Sequence, residues 1–205
     1  RMFTGLQNII SGIIINLDDG MKFGNKMFFK DPFYNPRIQT LLDVLERVDG
    51  KVLIFCKFTH EIDSVIEVLK KVYGESSAVK FNGDVTLKER QRNLKKFEGD
   101  ARFLVANKTT AGYGLNLQFC NYIVYFSNDW DYATRSQSED RVHRIGQNKN
   151  VHIIDIVAEK TLDERILSCL FRKEMLVYEF KKWLETHKNK DLKSLDEWIS
   201  NNEVS

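Results

Sequence analysis

The clearest apolar pattern in the chain is a helical one near residue 40. Asn35 and Pro36 are suited to an N-cap and a first helical position, and apolar side chains follow them at helical spacing. These apolar positions are Ile38, Leu41, Leu42, Leu45 and Val48. The stretch KVLIFCKF comes next, and its nearly continuous run of apolar residues predicts a strand that is buried on both faces.

The same two patterns alternate along the rest of the chain. Helices are predicted over residues 59–72, 87–97 and 131–144, and further helices follow the last strand. Strands are predicted at residues 78–81, in RFLVAN, in NYIVYF and in VHIIDIV. Alternation of strand and helix predicts parallel pairing. The expected fold is therefore α/β, with a parallel sheet of about five or more strands, flanking helices and a helical C-terminal extension.

Three helix starts carry a capping pattern, in which a hydroxyl residue stands three positions before a glutamate. The pairs are Thr86 with Glu89, Thr161 with Glu164, and Ser194 with Glu197. These pairs are structural signals rather than catalytic ones.

Composition limits the possibilities without selecting a function. The 205 residues are 42% hydrophobic, which allows a sizeable core in one or at most two domains. The formal net charge is only +2, so any surface that attracts nucleic acid must be local. Cys56, Cys120 and Cys169 are too far apart to indicate a disulfide framework or a zinc site. The apolar run at residues 9–17 is too short to cross a bilayer, and the start at Arg1 suggests a segment of a longer protein.

Three polar segments are expected at one edge of the sheet. In open parallel sheets, ligands bind where the carboxyl ends of the strands meet loops and helix N-termini. CKFTH, NKTTAGYGLNLQ and SNDWDYATRSQ should lie there, and they carry groups that hold phosphate oxygens without reading bases. The candidate DNA contacts are Lys57, Thr59, Lys108, Thr109, Thr110, Asn116 and Trp130. For Trp130, a core position and a stacking surface are equally good interpretations.

The helix predicted over residues 131–144 carries the densest set of donors. Gln137, Arg141 and Arg144 follow at i, i+4 and i+7, so their side chains share one helical face. Spacing alone leaves two interpretations open. One is a solvated face with salt bridges to Glu139 or Asp140. The other is a pair of planar, permanently charged donors that point at phosphate.

Other short motifs carry less information. GYGL holds Gly112 and Gly114 but lacks the third glycine of a dinucleotide fingerprint, and the chain has no P-loop spacing. Asp18 and Asp19 close an apolar run and are interpreted as a surface turn rather than a magnesium site. The four histidines form no recognisable catalytic arrangement, and no metal ligands are predicted.

Three motifs, GLNLQ, DWD and above all QSEDRVHRIGQ, resemble the C-terminal motor lobe of the SWI/SNF-type ATPases, within the superfamily-two helicases. The family pattern in the last motif is met at Gln137, Asp140, Arg141, His143, Arg144, Ile145, Gly146 and Gln147. The resemblance runs from about residue 38 to residue 170. Residues 107–114 depart from the Ser-Thr-x-Ala-Gly-Gly that family members commonly carry, and the AGYGLNLQ form looks more like bacterial or phage members.

The resemblance implies a RecA-like lobe that works together with another lobe. In the family, ATP lies between a first lobe with the P-loop and a second lobe with arginine fingers. By resemblance Arg141 and Arg144 are those fingers, and such an arginine contributes on the order of 10³ to 10⁵ in rate. The implied ATP-binding residues are Gln137, Asp140, Gly112 and Gly114, and the glycine segment would also link nucleotide state to the DNA groove. The implied cofactors are ATP and Mg²⁺, held mainly by the first lobe.

The resemblance also implies an organisation and partners. Residues 1–36 would link the lobes, residues 37–172 would form the C-terminal lobe, and residues 173–205 would form a helical extension. The partners would be double-stranded DNA and the N-terminal motor lobe of the same parent chain, with no membrane and no structural metal. The expected location is the cytoplasm of a bacterial or phage-infected cell, or the nucleus in a eukaryote.

Two functions from different classes follow. The first is the second motor lobe of a DNA-dependent ATPase and translocase, in which this segment alone does not hydrolyse ATP. The alternative is a free-standing nucleic-acid-binding or partner-binding module with a motor-like fold and no hydrolysis. A P-loop in the coding sequence upstream of Arg1 would favour the first.

Overall fold

The computed structural model describes residues 2–14, 26–111, 117–143, 146–147 and 149–186. The helices are α1 Met2–Ile10, a 3-10 helix Pro32–Tyr34, α2 Pro36–Glu46, α3 Thr59–Tyr73, α4 Leu87–Glu98, α5 Lys108–Ala111, α6 Tyr132–Glu139 and α7 Leu162–Thr186. The strands are β1 Ile13–Ile14, β2 Lys26–Met27, β3 Val52–Phe55, β4 Ala78–Phe81, β5 Phe103–Ala106, β6 Tyr122–Tyr125 and β7 His152–Asp155.

Strands β3 to β7 form a single parallel sheet in the order β4-β5-β3-β6-β7. The register is in step across the centre, where Leu53 lies opposite Leu104 on one side and Ile123 on the other. This arrangement confirms the predicted α/β fold with a five-stranded parallel sheet. The sheet places the carboxyl ends of all five strands along one edge.

The central strand β3 is buried from both sides. Val52 and Ile54 face a cluster built with α2 and α3, whereas Leu53 and Phe55 face a second cluster that includes residues of α4. All four side chains are fully buried, and each contributes about 1.5–3 kcal/mol of transfer free energy. Burial on both faces is the reason that this strand is apolar at successive positions rather than alternate ones.

Two of the predicted helix starts are confirmed by their caps. The Asn35 side chain accepts from the N–H of Arg37 at 3.0 Å and Pro36 is the first residue of α2. The Thr86 hydroxyl accepts from the N–H of Glu89 at 3.3 Å at the start of α4.

Other predicted boundaries differ from the structure. The Thr161 hydroxyl accepts from the N–H of Asp163 at 3.2 Å, one residue earlier than the predicted capping pair requires. The helix predicted to reach residue 144 ends at Glu139, and Asp140 is its C-cap. The third capping pair, Ser194 with Glu197, lies outside the described residues.

Helix α1 and a small antiparallel pair precede the sheet. Ile13 of β1 lies opposite Met27 of β2. Neither α1 nor this pair was predicted. The two strands have two residues each, which is too short to show a periodic pattern. At the other end, α7 continues through residue 172, so the boundary placed there falls inside a helix and the three-part division stays a prediction. Within the described part of the chain, no helix has both the length and the apolar content of a membrane span.

Candidate functional site

The carboxyl edge of the sheet brings together several of the residues predicted from the sequence. Lys57 follows β3, Lys108 follows β5 and Asp129 follows β6. Lys108 is the first residue of α5, whereas Lys57 and Asp129 are in loops. Because β5, β3 and β6 are adjacent in the sheet, these three residues lie on neighbouring segments. The edge therefore carries a small charged cluster of two ammonium groups and one carboxylate.

Lys108 is the most buried member of this cluster. The residue is 4% exposed, and its Nζ donates to Asp129 Oδ1 at 2.6 Å. The same ammonium lies 5.8 Å from the centre of the Tyr125 ring. The sequence predicts Lys108 as a DNA contact, and the structure places it beneath the surface in an ion pair. Its neighbour Thr109, also a predicted contact, is exposed.

Lys57 is half-buried at the same edge. Its Nζ donates to the side-chain oxygen of Gln7 on α1. Burial lowers the pKa of Lys57, the negative charge of Asp129 opposes this shift, and the positive charge of Lys108 adds to it. An additional anion would stabilise the charged form of Lys57, because it compensates for the lost hydration of the ammonium group.

A buried carboxylate fixes helix α1 against this edge. Glu61 is 2% exposed and accepts from the hydroxyl of Ser127 at 2.5 Å and from the hydroxyl of Ser11. The side-chain amide of Gln7 donates to the backbone oxygen of Asn128 at 2.9 Å. The segment between α1 and β1 is thus tied to the loops after β3 and β6, where the candidate DNA contacts lie.

A second buried network joins α6 to strand β7. Arg135 donates to both oxygens of Asp155, at 2.7 and 2.9 Å, and to Glu139 at 2.9 Å. Its guanidinium lies 4.1 Å from the centre of the Tyr125 ring. Burial acts to lower the pKa of Arg135, but the hydrogen bonds and charge of Asp155, together with the charges of Tyr125 and Glu139, raise it overall. Burial raises the pKa of Glu139, and Arg135 partly offsets that rise.

Arg135 is a site residue that was not predicted from the sequence. The i, i+4 spacing of Arg135 and Glu139 is a visible signal of a helical ion pair. The bidentate partner Asp155 is twenty positions away, and only the pairing of β6 with β7 brings it close.

The turn after α6 holds the candidate arginine finger. The Arg141 carbonyl accepts from the N–H of Leu117 at 3.2 Å, and the next side chain, Val142, is fully buried against β6. Arg141 itself is half-buried. The neighbouring predicted or motif residues that are exposed are Gln137, Asp140 and His143. Because α6 ends at Glu139, the regular spacing expected for Gln137 and Arg141 on one continuous helix is not present.

The end of the same motif is structural. Gly146 has a φ of +103°, and a Cβ there would lie 2.8 Å from the side-chain oxygen of Gln118. Gln147 donates from its side-chain amide to the backbone oxygen of Cys120 at 2.8 Å. Glycine and glutamine at these two positions therefore close the turn against the loop before β6.

The other predicted site residues are more dispersed. Thr59 is exposed at the start of α3. Trp130 is half-buried, accepts at its backbone oxygen from Lys173 Nζ at 2.8 Å, and lines a cavity of about 500 Å³ beside α7. Gly112, Gly114, Asn116 and Arg144 lie outside the described residues, as does the side chain of Thr110.

The donor set at this edge suits phosphate oxygens better than a metal ion. The described residues contain no group of three or more histidine, cysteine or acidic side chains that could hold a metal. Two carboxylates of this edge, Asp129 and Asp155, are paired with Lys108 and Arg135, and a third, Glu61, accepts from Ser11 and Ser127. Cationic and hydroxyl groups remain for a ligand that is negatively charged.

Comparisons with known proteins agree with this arrangement. The family model described as "Helicase conserved C-terminal domain" matches residues 36–146. "Helicase domino" of Drosophila melanogaster is 32% identical over 145 residues, which cover 68% of this chain and 4% of that protein. "Helicase SWR1" of Gibberella zeae is 30% identical over 141 residues, with 68% and 8% covered. A "Probable ATP-dependent helicase" of Plasmodium falciparum is 30% identical over 141 residues, with 68% and 7% covered.

A solved structure is similar in fold. The crystal structure of the C-terminal part of the Fun30 ATPase domain matches with a TM-score of 0.64 and 24% identity, over 71% of this chain and 48% of that one. This likeness confirms the predicted RecA-like architecture. The chain spans less than a tenth of the length of the curated relatives described above. Those relatives come from an insect, a fungus and a protozoan, so they give no support to the expected bacterial or phage source.

Proposed function

Because the chain belongs to the helicase conserved C-terminal domain family and is a lobe of the SWI/SNF type, we propose that it is the second motor lobe of a DNA-dependent ATPase and translocase. In this role it contributes arginine fingers to a nucleotide bound on a first lobe and contacts the DNA phosphate backbone along its carboxyl edge. The eukaryotic sources of the relatives favour the nucleus over a bacterial cytoplasm as its location.

The observation that carries the proposal is the anchoring of residues 140–143, the turn after α6 that holds Arg141 and is called the arginine turn below. Val142 is fully buried, and the Arg141 carbonyl is bonded to the N–H of Leu117, so the backbone on both sides of the Arg141 side chain is held. An arginine finger acts through a fixed guanidinium position, because catalysis by charge depends on donors that need no reorganisation. Arg141, together with Arg144, is therefore assigned to the γ-phosphate. Exposed Gln137 and Asp140 border the same turn and orient the nucleotide.

ATP with Mg²⁺ supplies the phosphoryl group whose transfer powers movement. Phosphoryl transfer spreads negative charge over the γ-phosphate oxygens, and a permanently charged planar guanidinium matches that charge at two oxygens. This lobe supplies cationic donors. Its described residues contain no group of side chains that could hold a metal ion. Mg²⁺ is accordingly assigned to the first lobe, and the task of this lobe is to stabilise charge and exclude water.

The DNA contacts are proposed along the loops after β3, β5 and β6. Thr59 and Thr109 offer exposed hydroxyls, and Trp130 offers a half-buried ring for the sugar and base edges. Lys57 and Lys108 lie deeper and are held by Gln7 and Asp129. In the DNA complex, we expect at least one of these two ammonium groups to donate to a phosphate oxygen in place of its present partner. Double-stranded DNA is the proposed substrate, because phosphate tracking needs no separation of bases.

The test compares the 205-residue chain with a protein that joins it to a P-loop lobe from its own coding sequence. Both are mixed with ATP and Mg²⁺, with and without duplex DNA, and phosphate release is measured. The joined protein is expected to hydrolyse ATP in a DNA-stimulated manner, and the chain alone is expected to be inactive. Robust turnover by the chain alone would refute the proposal. DNA binding by the joined protein without hydrolysis would favour a binding module with a motor-like fold.

A further inference from the structure

Helix α4 concentrates positive charge away from the proposed nucleotide site. It carries five basic residues, Lys88, Arg90, Arg92, Lys95 and Lys96, and two acidic ones, Glu89 and Glu98. Its net charge is therefore +3 by count, compared with +2 for the whole chain of 205 residues. The rest of the protein is close to neutral, and α4 is the local basic surface that the overall charge conceals.

The basic residues of α4 divide into an inner and an outer set. Phe97 is fully buried and fixes the helix against β4 and β5. Arg90 donates to the backbone oxygens of Val85 at 2.9 Å and Gly83 at 3.1 Å, so it stabilises the loop before the helix. The outer face instead presents a stripe at i, i+4 and i+7, formed by Lys88, Arg92 and Lys95. All three are exposed, and they line a shallow depression of about 450 Å³ that also has one carboxylate, Glu98, on its border.

This basic stripe is poorly neutralised by the protein itself. Lysines on neighbouring elements have close carboxylates, with Lys80 Nζ at 2.5 Å from Asp63. On the stripe, the ion pair found is Arg92 with Glu89, at 3.9 Å and largely exposed, where such a pair contributes little. Among the described residues, Lys88 and Lys95 have no carboxylate within ion-pair distance, and the same holds for Lys96 at the border of the stripe.

The position of α4 relates the basic stripe to the proposed DNA path. Strand β4 lies at one end of the sheet next to β5, which is followed by the short helix α5 with Thr109. Helix α4 begins at Leu87, after the carboxyl end of β4. The arginine turn lies on the side of β6 and β7, beyond the centre of the sheet. From Lys88 to Lys95 the stripe extends by about 10 Å along the helix, at 1.5 Å per residue. It thus starts at the edge that carries the DNA contacts and leads away from the nucleotide.

We propose that the basic stripe of Lys88, Arg92 and Lys95 is a second contact of this lobe with the phosphate backbone of duplex DNA. The proposal rests on the proposed function, because it extends the DNA path beyond the loops after β3, β5 and β6. A nucleic acid fits this surface better than an acidic protein does. Protein interfaces are depleted of lysine at their centres and are built around aromatic anchors, and the stripe offers lysines and no aromatic ring.

The test measures duplex DNA affinity of the 205-residue chain as a function of salt concentration. The variant Lys88→Gln, Arg92→Gln, Lys95→Gln removes the basic stripe. The matched control, Lys30→Gln, Arg47→Gln, Lys160→Gln, removes the same charge from three exposed residues that lie outside the helices and strands. Loss of three phosphate contacts should reduce the slope of log K against log salt by about 2 to 3 and weaken binding about tenfold or more near 0.1 M salt. The control variant should change the slope by less than about 1.

Two further arms separate the possible failures. Lys57→Gln tests the carboxyl edge alone, so a loss of affinity there without a loss in the stripe variant would overturn the second contact and leave the proposed function standing. A loss of DNA affinity in the stripe variant without a loss in Lys57→Gln supports the stripe as a DNA contact and counts against a DNA contact at Lys57. Equal losses in stripe and control variants would show a bulk charge effect and overturn the proposal. Binding of poly-glutamate that the stripe variant loses, with DNA affinity unchanged, would assign the surface to an acidic protein and also overturn it.

Discussion

Arg135 and Arg141 lie six residues apart in one segment, yet the fold uses them differently. Arg135 is nearly buried, its guanidinium shared between Asp155 and Glu139 on an aromatic ring. Arg141 lies two residues beyond the end of α6, half-buried, and is followed by the buried anchor Val142. The comparison teaches that position in the fold decides the task of an arginine. Arg135 joins α6 to β7, whereas Arg141 follows in a turn held by buried Val142 and by the N–H of Leu117.

The largest expected effect is on catalysis at Arg141. In the two-lobe protein, Arg141→Ala should lower DNA-stimulated ATP hydrolysis by about 10³ to 10⁵, because the charge that develops on the γ-phosphate loses its donor. The free energy of unfolding should change by less than the roughly 3 kcal/mol expected at Arg135, since buried Val142 and the backbone bond to Leu117 are retained. Steady-state phosphate release and urea denaturation measure the two quantities. As a control, Arg141→Lys keeps the charge but not the planar fork, and most of the loss should remain. A rate within tenfold of the unmodified protein would remove the finger assignment.

The opposite pattern is expected at Arg135. Arg135→Met leaves Asp155 and Glu139 as partly buried carboxylates without a cation, so the free energy of unfolding should fall by about 3 kcal/mol, the lower end of the range for buried pairs. Urea denaturation of the 205-residue chain measures this loss. Adding Asp155→Asn to the same variant removes one uncompensated charge and should restore part of the stability. If Arg135→Met unfolds at an unchanged urea concentration, the network is not what holds α6 to β7.

The contrast also shows how far the sequence could predict this site. Arg141 follows from the motif, and the buried strands follow from their continuous apolar runs. The burial of Lys108 could not be predicted, because its partner Asp129 is on a loop that only the sheet order brings near. The same is true of Arg135, for which the decisive partner is on β7. Local spacing therefore identified the chemical groups, and long-range pairing decided which of them remain available to a ligand.

A smaller effect is expected where the arginine motif closes at Gly146. Gly146→Ala should lower the free energy of unfolding by about 1–3 kcal/mol, because a φ of +103° is unfavourable for a residue with a Cβ. Gly74 is a matched control, since its φ is +99° and nothing lies within 4 Å of an added Cβ. The excess loss at Gly146 over Gly74 then measures the 2.8 Å contact with Gln118. Gln118→Ala in the Gly146→Ala background should remove that excess. Equal losses at the two glycines would mean that the motif imposes no packing constraint there.

The smallest expected effect is at the start of α6, on the helix that carries Arg135. The Asp131 carboxylate accepts from the N–H of Thr134 at 3.1 Å, and bonds from the Thr134 hydroxyl and this N–H lower the pKa of Asp131. Asp131→Ala should cost about 1 kcal/mol of unfolding free energy at pH 7. Because the pKa is lower in the folded state, this contribution is complete above the unfolded pKa of about 3.9 and is lost as pH falls through the folded value. Urea denaturation at pH 7, 5 and 3 should show the difference between the two proteins shrinking at the lowest pH.

Thr86→Ala is the uncharged counterpart for this measurement. Thr86 caps α4 through its hydroxyl, at 3.3 Å from the N–H of Glu89, so its cost should also be about 1 kcal/mol. A hydroxyl does not titrate in this range, and the cost should therefore be the same at pH 7, 5 and 3. If the two substitutions vary with pH in parallel, the acid sensitivity belongs to the whole fold, and the carboxylate of Asp131 has no separate part in fixing the start of the helix that positions Arg135 and Arg141.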